Sequence, residues 1–185
     1  MNKESKESKI YKENNHIYFY AEVNRENAST LLVLFREAEE YSIVNTFRLR
    51  VPEIPIYLHI FSDGGELHST FSIIDAINRS KVNIYSVIDG STCSAGVLIS
   101  ISCKKRYICP SAYILLHQLS SDVSGKMNEM RDEIEHLSDL SDKIIEIYEK
   151  HSSMTVKKIN KLLKHELWLN SEIAIKYGLV DELFS

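Results

Sequence analysis

Ser94 lies in a run of small residues, 89–96, between a strand-like apolar stretch and a helix-like apolar stretch. Small residues allow a sharp bend, so this pattern predicts a strand-to-helix turn that exposes the serine hydroxyl. Such a turn also directs the first amides of the helix at any group bonded to that hydroxyl. A serine in this position is more often a helix N-cap than a nucleophile. The motif alone therefore leaves both interpretations open.

A double glycine, Gly64-Gly65, follows one predicted strand, and His117 follows another. Taken singly, the first is usually only a turn and the second is usually a structural histidine. Parallel strands end at the same edge of a sheet, and α/β proteins place their sites at that edge. A serine nucleophile needs a base for its proton and amide donors for the oxyanion. The combination therefore predicts Ser94 as a nucleophile served by His117.

The elements that must position these residues alternate along the chain. Apolar and β-branched runs predict strands at residues 17–23, 56–61, 82–88, 106–109 and 113–116. Between them, helical spacing predicts helices at residues 27–40, from the double glycine to Arg79, and at 97–101. This order implies right-handed crossovers and a largely parallel sheet. A helix capped by Thr155, a strand at 166–169 and a helix at 171–177, capped by Gly178, complete the prediction.

A long helix is predicted at about residues 126–152. Apolar residues recur there at gaps of three and four and form one narrow seam, roughly 37 Å long at about 1.5 Å per residue. We expect this helix to project from the domain and to pair with another copy of itself. Residues 1–15 are predicted to be a flexible polar tail and residues 16–185 a single domain. The seam consists of Met127, Met130, Ile134, Leu137, Leu140, Ile144 and Ile147.

Composition argues against several classes of function. The net charge of −4 does not favour a nucleic acid or an anionic membrane as partner. No stretch reaches the roughly 20 apolar residues that span a bilayer, and the polar start of the chain lacks a secretory signal, so we expect a cytoplasmic protein. Cys93, Cys103 and Cys109 are expected to be buried reduced thiols. The seven histidines are scattered, and neither a metal nor a cofactor is predicted.

Four segments together carry a family resemblance: IYLHIFSDGG, GSTCSAG, KKRYICPSAYILLHQ and LWLNSEIAIKYGLVDELF. They resemble the proteolytic subunit of the Clp protease, a serine peptidase. The resemblance covers roughly residues 17–184 and is most specific over 56–117. It implies an α/β fold of the Clp-protease and crotonase type, with repeated β-β-α and βαβ units, a mainly parallel sheet and a projecting handle helix.

The same resemblance implies an activity and an assembly. It implies a serine endopeptidase that cleaves unfolded polypeptides inside a chamber formed by two stacked heptameric rings, a tetradecamer of identical subunits. In this family the rings meet through their handle helices. An ATP-dependent unfoldase of the AAA+ class is the implied partner, and it would feed substrate into the chamber.

Residue by residue, the resemblance implies roles at the catalytic centre and beside it. Ser94 corresponds to the nucleophile, His117 to the general base and Glu166 to the third triad position, where the family has aspartate. Gly65 and Ala95 correspond to the backbone donors of the oxyanion hole. Two edges would hold an extended peptide as an added strand. One edge consists of Gly65, Glu66 and Leu67, and the other consists of Leu119, Ser120 and Ser121.

This sequence departs from the family pattern at several positions. Glu166 is one methylene longer than aspartate, which changes how a carboxylate reaches the imidazole. Asp63 and Leu119 replace two prolines of turns that position the oxyanion donor and the substrate. The start of the chain lacks the apolar segment that lines the family's axial pore. The sequence is therefore interpreted as a divergent member.

Three further hypotheses remain open beside the active endopeptidase. The chain could be a structural or regulatory ring subunit that assembles with an active partner. It could be an acyl-CoA-processing enzyme of the related crotonase fold, which binding of a coenzyme A thioester would reveal. It could also be a specialised protease with the same chemistry and a different substrate. Labelling of the serine by a fluorophosphonate probe would favour the peptidases.

Overall fold

The computed structural model describes residues 9–184, with eight strands and six helices. The strands are β1 (Lys9–Glu13), β2 (His16–Tyr20), β3 (Ile56–Ser62), β4 (Ile84–Cys93), β5 (Lys105–Ile108), β6 (Tyr113–Leu116), β7 (Leu167–Asn170) and β8 (Glu182–Leu183). The helices are α1 (Arg25–Leu49), α2 (Leu67–Arg79), α3 (Ala95–Ile101), α4 (Met127–His151), α5 (Val156–Leu163) and α6 (Ser171–Lys176).

All eight strands belong to one sheet, in the order β1-β2-β3-β4-β5-β8; β6 pairs with β4 outside this order, and β7 pairs with β6. Pairing from β2 to β5 and on to β8 is parallel, whereas β1 and β7 are antiparallel to their partners. The predicted α/β fold with a largely parallel sheet is thus confirmed.

Strand β4 is long enough to pair with two strands on the same side. Its first part, Tyr85 to Ile88, pairs with β5, and its last part, Ser91 to Cys93, pairs with β6. The ten-residue length of β4 therefore carries the chain past the end of β5. As a result, β6 lies beside the carboxyl end of β4, where the candidate nucleophile follows.

Two apolar clusters hold the helices against the sheet. One joins α1 and α2 to β2 and β3, and the other joins α3 to α4, α5 and β6. All seven residues of α3 are buried, as expected for a short helix that is apolar on every side. Helix α3 is therefore the best-anchored element next to the candidate site.

The opposite side of the sheet carries aromatic and histidine side chains, most of them partly exposed and one of them, His59, buried. Strand β2 alternates buried Ile17 and Phe19 with half-buried residues on the other face, a period-2 pattern. We call this surface the open sheet face. Its members on β2 and β3 are His16, Tyr18, Tyr20, Tyr57, His59 and Phe61.

Helix α4 is the long helix that the apolar seam predicted. Only Ile144 and Tyr148, in its second half, are buried. Met127 and Ile134 are 69% and 61% exposed, so the first half of the helix extends away from the described domain. None of the described helices is long and apolar enough to cross a membrane.

The structure corrects several boundaries that the sequence predicted. Strand β2 ends at Tyr20 rather than Val23, and β4 begins at Ile84 and continues to Cys93 rather than ending at Ile88. Helix α1 continues to Leu49, nine residues beyond the predicted end. Strand β1, at Lys9–Glu13, lies inside the segment predicted to be a flexible tail and pairs with β2, so the tail prediction was wrong there. Residues 1–8 lie outside the described residues. Strand β7 begins at Leu167, which leaves Glu166 just before it.

Candidate active site

Ser94 lies at the turn between β4 and α3 in an unusual backbone conformation. Its φ is 50° and its ψ is −117°, a combination that side-chain-bearing residues rarely adopt. The residue occupies the N-cap position of α3, but its side chain makes no capping hydrogen bond. Its amide donates to the Leu115 carbonyl of β6 over 3.0 Å, which fixes the turn. Of the two interpretations of this serine, the capping role is therefore wrong.

The double glycine after β3 lies against the Ser94 turn. A β-carbon at Gly64 would be 2.9 Å from the Ser94 Cβ and 3.3 Å from the Ala95 amide nitrogen. A β-carbon at Gly65 would be 2.0 Å from the Val23 carbonyl oxygen, and both glycines have positive φ. Only glycine allows this approach, so the two turns are packed backbone to backbone.

Two backbone amides at this contact are oriented for a ligand. Val23 donates to the Gly64 carbonyl and accepts from the Glu66 amide, each over 2.7 Å. Successive residues of an extended chain direct their polar groups to opposite sides, so the N–H and C=O of Gly65 face away from Val23. Ala95 is the first residue of α3, and such an amide has no partner within its helix. The two amides could together hold an oxyanion.

His117 directly follows β6, and its ring has a defined tautomer. Its Nδ1 lies 2.7 Å from the Gln118 carbonyl oxygen. A carbonyl can only accept, so Nδ1 carries a proton, and in the neutral ring Nε2 is then the nitrogen with the lone pair. Nε2 is thus able to act as a base. Within residues 9–184, however, no hydrogen bond joins His117 to Ser94, although their backbones lie at neighbouring strand ends.

Glu166 directly precedes β7 and His117 directly follows β6, so both residues lie just beyond the last pair of the β6–β7 ladder. In the β6–β7 ladder Leu115 pairs with Trp168 and Leu116 with Leu167, so the next pair outward would be His117 with Glu166. Directly opposed residues point to the same face with β-carbons about 4.5–5.5 Å apart. The Glu166 side chain is exposed, and no ion pair or hydrogen bond to His117 is present among the described residues. Continuing the register of β6 and β7 by one pair would set the two residues side by side, but no bond joins them among the described residues.

The residues predicted to bind an extended substrate lie on two sides of this site. Glu66 is the N-cap of α2, and Leu67 is the first residue of that helix, so the extended part of this edge ends at Glu66. Leu119 packs half-buried against the core. Ser120 and Ser121 are exposed in the irregular segment 117–126.

The cysteines do not compete with Ser94 for the role of nucleophile. Cys93 and Cys103 are buried, and none of the three cysteines forms a disulfide within the described part of the chain. Burial raises the pKa of the Cys103 thiol to about 12. A thiol that stays protonated is a poor nucleophile. In the same part of the chain, no group of three His, Cys, Asp or Glu side chains could hold a metal ion.

A second histidine–carboxylate pair, which sequence reasoning missed, lies on the open sheet face. His59 Nδ1 is 3.0 Å from Asp89 Oδ2, and His16 Nδ1 is 3.0 Å from His59 Nε2. The Tyr20 hydroxyl donates to the same carboxylate. These residues come from three strands and are up to 73 positions apart. Only the alternation of polar and apolar residues in HIYFY and IYLHIFS could have indicated them.

Electrostatics reflect the density of this network. Burial opposes ionisation of Asp89, but hydrogen bonds from His59 and Tyr20 outweigh it and hold its pKa below the usual value. Burial lowers the pKa of His16, and the nearby His59 lowers it further. Burial and the hydrogen bond to Asp89 raise the pKa of Tyr20. A deprotonated Asp89 beside a neutral His16 is therefore favoured at neutral pH.

The sequence is similar to known proteins along nearly its whole length. The profile of a family described as Clp protease matches residues 4–185. The chain is 27% identical to the ATP-dependent Clp protease proteolytic subunit of Streptococcus suis, over 88% of its own length and 79% of that protein. Identity is 30% to the protein of the same name from Streptococcus mutans, over 69% of this chain and 67% of that protein. The identity to the ATP-dependent Clp protease proteolytic subunit 2 of Pseudomonas aeruginosa is also 30%, over 72% of this chain and 67% of that protein.

Proposed function

Because the chain belongs to the Clp protease family and is a serine-type endopeptidase, we propose that Ser94 is its nucleophile and His117 its general base. The conformation of Ser94 carries this proposal. A non-glycine residue at φ 50° that makes no capping hydrogen bond has a strained backbone. Backbone strain of this kind is concentrated at active sites and ligand-binding sites. The position of His117 directly after β6, with its Nδ1 hydrogen-bonded and its Nε2 without a protein partner among the described residues, supports the choice of base.

The reaction follows from these roles. The Ser94 Oγ attacks the carbonyl carbon of a peptide bond while its proton passes to His117 Nε2. The Gly65 and Ala95 amides hold the negative oxygen of the tetrahedral intermediate. His117 then gives the proton to the leaving amine, and a water molecule, deprotonated by the same ring, hydrolyses the acyl-enzyme.

Glu166 is proposed as the group that orients the imidazolium. Continuing the β6–β7 register by one pair would set it beside His117, which supports this role. In the isolated chain the Gln118 carbonyl holds Nδ1, so the imidazole must rotate before a carboxylate takes over. We attribute this rotation to assembly or substrate binding, since catalytic hydrogen bonds often tighten only in the reacting complex.

The substrate is proposed to be an unfolded polypeptide bound in extended form. The outward polar groups of Gly65 offer one free strand edge, and segment 117–126 lies on the other side. Main-chain hydrogen bonds of this kind bind a peptide without demanding a particular sequence. Side chains proposed to contact the peptide are Glu66, Leu67, Leu119, Ser120 and Ser121.

We further propose that the subunits form stacked heptameric rings around a chamber. Support comes from α4, whose first half exposes Met127 and Ile134 on an otherwise charged helix. Exposed apolar side chains of this size favour contact with a partner helix. The relatives are named as subunits of an ATP-dependent protease, so an ATPase of the unfoldase class is the proposed partner.

A labelling experiment tests the catalytic proposal. The assembled protein is treated with a fluorophosphonate probe and assayed with a fluorogenic peptide. Labelling and turnover are expected in the natural sequence and in the Ser91→Ala control, since Ser91 lies in β4 before the turn. Both should be lost in Ser94→Ala. Labelling that survives in Ser94→Ala would contradict the assignment.

A second candidate function is a ring subunit without activity of its own. The observation in its favour is that neither Ser94 nor Glu166 is hydrogen-bonded to His117 in the described part of the chain. Mixed rings with an active relative distinguish the two functions. A silent subunit leaves peptide turnover unchanged when it carries Ser94→Ala, whereas an active one lowers turnover in proportion to its share.

The assembly proposal has its own test. Ile134→Asp places a charge in the exposed part of the α4 seam and should separate paired rings without unfolding the subunit. Val33→Asp, on an exposed apolar position of α1, is the matched control. Sedimentation velocity reports the masses. If Ile134→Asp sediments like the natural sequence, α4 is not the contact between rings.

A further inference from the structure

The end of α1 carries an exposed apolar surface that the proposed catalysis does not use. Phe47 is 87% exposed and Leu49 is 61% exposed. Single exposed apolar residues are ordinary, but a contiguous group marks a contact surface. We call the exposed apolar residues at this helix end the α1-end patch; they are Ile43, Val44, Phe47, Leu49 and Val51, of which Ile43, Phe47 and Val51 line one concave surface.

The α1-end patch borders a concave surface. A cavity of about 840 Å³ opens between the last turns of α1 and the loop that follows it. Ile43 and Phe47 are four residues apart and line the same side of the helix. The volume lies in the range that binds small molecules or a few side chains of a peptide.

The walls of this cavity are held in place by hydrogen bonds. The Val51 amide donates to the Thr46 carbonyl over 3.3 Å, and the Ile54 amide donates to the Thr46 hydroxyl over 3.0 Å. Glu53 accepts from both the backbone and the side-chain amide of Asn83, over 2.9 and 2.7 Å. The loop is therefore tied to the helix end and to the start of β4, and the groove exists before any partner arrives.

Most of the charges around the groove are positive. Arg48, Arg50 and Lys81 line it, and residues 41–51 contain no aspartate or glutamate. Glu53 is the one acidic lining residue, and both of its oxygens are engaged by Asn83. Nearby, Glu39 accepts from the Ser80 hydroxyl and the Lys81 amide. The groove is therefore locally basic although the chain as a whole has a net charge of −4.

We propose that the α1-end patch and its groove bind a protein segment that carries large apolar side chains flanked by acidic residues. The apolar side chains would enter beside Phe47, and the acidic ones would meet Arg48, Arg50 and Lys81. Complementary charge guides and selects such a partner, while burial of the apolar anchors holds it. The occupant is thus an acidic, apolar peptide segment of another protein.

Two other occupants fit the charges and the shape less well. Two copies of this chain meeting through the same patch would bring Arg48 and Arg50 of each close to those of the other, which is repulsive. An anionic lipid surface would attract the cations, but a flat bilayer cannot fill a concave groove, and each basic residue contributes only about 1 kcal/mol. The preformed cavity therefore favours a peptide.

Peptide selection tests this proposal without relying on catalysis. The full-length Ser94→Ala protein, which should not cleave peptides, is immobilised and exposed to phage-displayed random dodecamers. Phe47→Ser in the same background serves for counter-selection. We expect enriched sequences with acidic residues around Leu, Phe or Ile. The most enriched one is then synthesised with fluorescein and measured by anisotropy.

Matched variants decide the outcome. Phe47→Ser and Arg48→Glu should each weaken binding about tenfold or more, as central anchors do. Val33→Ser and Arg36→Glu, both exposed on α1 outside the groove, should leave it unchanged. Failure to enrich any peptide, or enrichment of basic or uncharged ones, would overturn the proposal. So would sedimentation with phosphatidylserine vesicles, or a change of oligomeric state, that depends on Phe47.

Discussion

Two histidine–carboxylate pairs in this protein have opposite degrees of organisation. His59 and Asp89 are in hydrogen-bond contact, and Tyr20 and His16 complete their network. His117 and Glu166 lie just beyond the last pair of the β6–β7 ladder, Leu116 with Leu167, and neither bonds to the other. The tightly bonded pair lies on the open sheet face, whereas the loose pair lies beside the strained Ser94. The histidine–carboxylate pair with the more complete hydrogen bonding is therefore not the pair next to the proposed nucleophile.

The number of hydrogen-bonded ring nitrogens decides whether each histidine can accept a proton from a substrate. A histidine whose two nitrogens are already bonded, as in His59, has no lone pair to offer a substrate. A histidine with one nitrogen unoccupied, as in His117, keeps the capacity to take a proton. The first pair is expected to contribute stability and the second to contribute activity.

The largest expected effect is the loss of activity in His117→Ala. Removing the base should lower kcat/KM for a fluorogenic peptide by about 10³-fold or more. Because the ring is half-exposed, the free energy of unfolding in urea should change by no more than about 0.5 kcal/mol. His59→Gln is the counterpart, and its activity per folded oligomer should be retained. Loss of activity in His59→Gln, with activity retained in His117→Ala, would contradict the roles expected for the two histidines.

A smaller loss of activity is expected for Glu166→Gln. Replacing the orienting carboxylate of a triad by its amide can cost about 10⁴-fold in kcat. Here the Gln118 carbonyl already holds the productive tautomer of His117, so we expect a loss of about 10²-fold. Kinetics of Glu166→Gln and of Glu166→Asp, which restores the family's residue, give the measurement. Full activity in Glu166→Gln would remove Glu166 from the mechanism.

Asp89→Asn should act on stability. The substitution removes the charge that His59 and Tyr20 bond, and hydrogen bonds to charged groups contribute about 1.5–3 kcal/mol. A loss of that order is expected in the free energy of unfolding, measured in urea at pH 7.5. Asp75→Asn, an exposed aspartate on α2, is the control. An unchanged midpoint in Asp89→Asn would mean that the network contributes nothing.

The smallest expected effect is in the response of stability to pH. His16 has a lowered pKa in the folded chain, so the unfolded chain takes up its proton first on acidification. Its contribution is present above about pH 6.5 and is lost as the pH falls through the folded value. The pKa of Asp89 is also lowered in the folded chain, so its contribution to stability is likewise lost on acidification, but at lower pH, below about 4. Unfolding between pH 4.5 and 7.5 should show a smaller slope in His16→Gln; an unchanged slope would exclude the network as its source.

Much of the fold could be predicted because apolar periodicity reports burial. The parallel strands and the full length of α4 were accessible in this way. Periodicity failed at α1, where Ile43, Val44 and Phe47 continue the helix while remaining exposed, so their pattern reflects no core. It also failed at β1, whose sequence KIYKE is half charged and is held by pairing with β2.

The candidate site was accessible for a different reason. Ser94, Gly64 and Gly65 are short-range turn signals, and a turn is determined by the few residues within it. Which groups bond across the sheet depends on register instead, so the contact of His59 with Asp89 was not predicted. The same limit applies to Gln118, whose carbonyl, rather than the Glu166 carboxylate, accepts the hydrogen bond from His117 Nδ1.

The complete burial of α3 has a consequence for how this site can move. Amides of a helix with no exposed residue exchange with deuterium mainly when the whole domain unfolds. Segment 117–126, which is largely exposed and irregular, should exchange through small local openings. Any step that brings the two proposed catalytic groups within hydrogen-bond distance is therefore expected to be a movement of His117 toward a stationary Ser94. Conditions that slow exchange in segment 117–126 should be those under which the enzyme turns over.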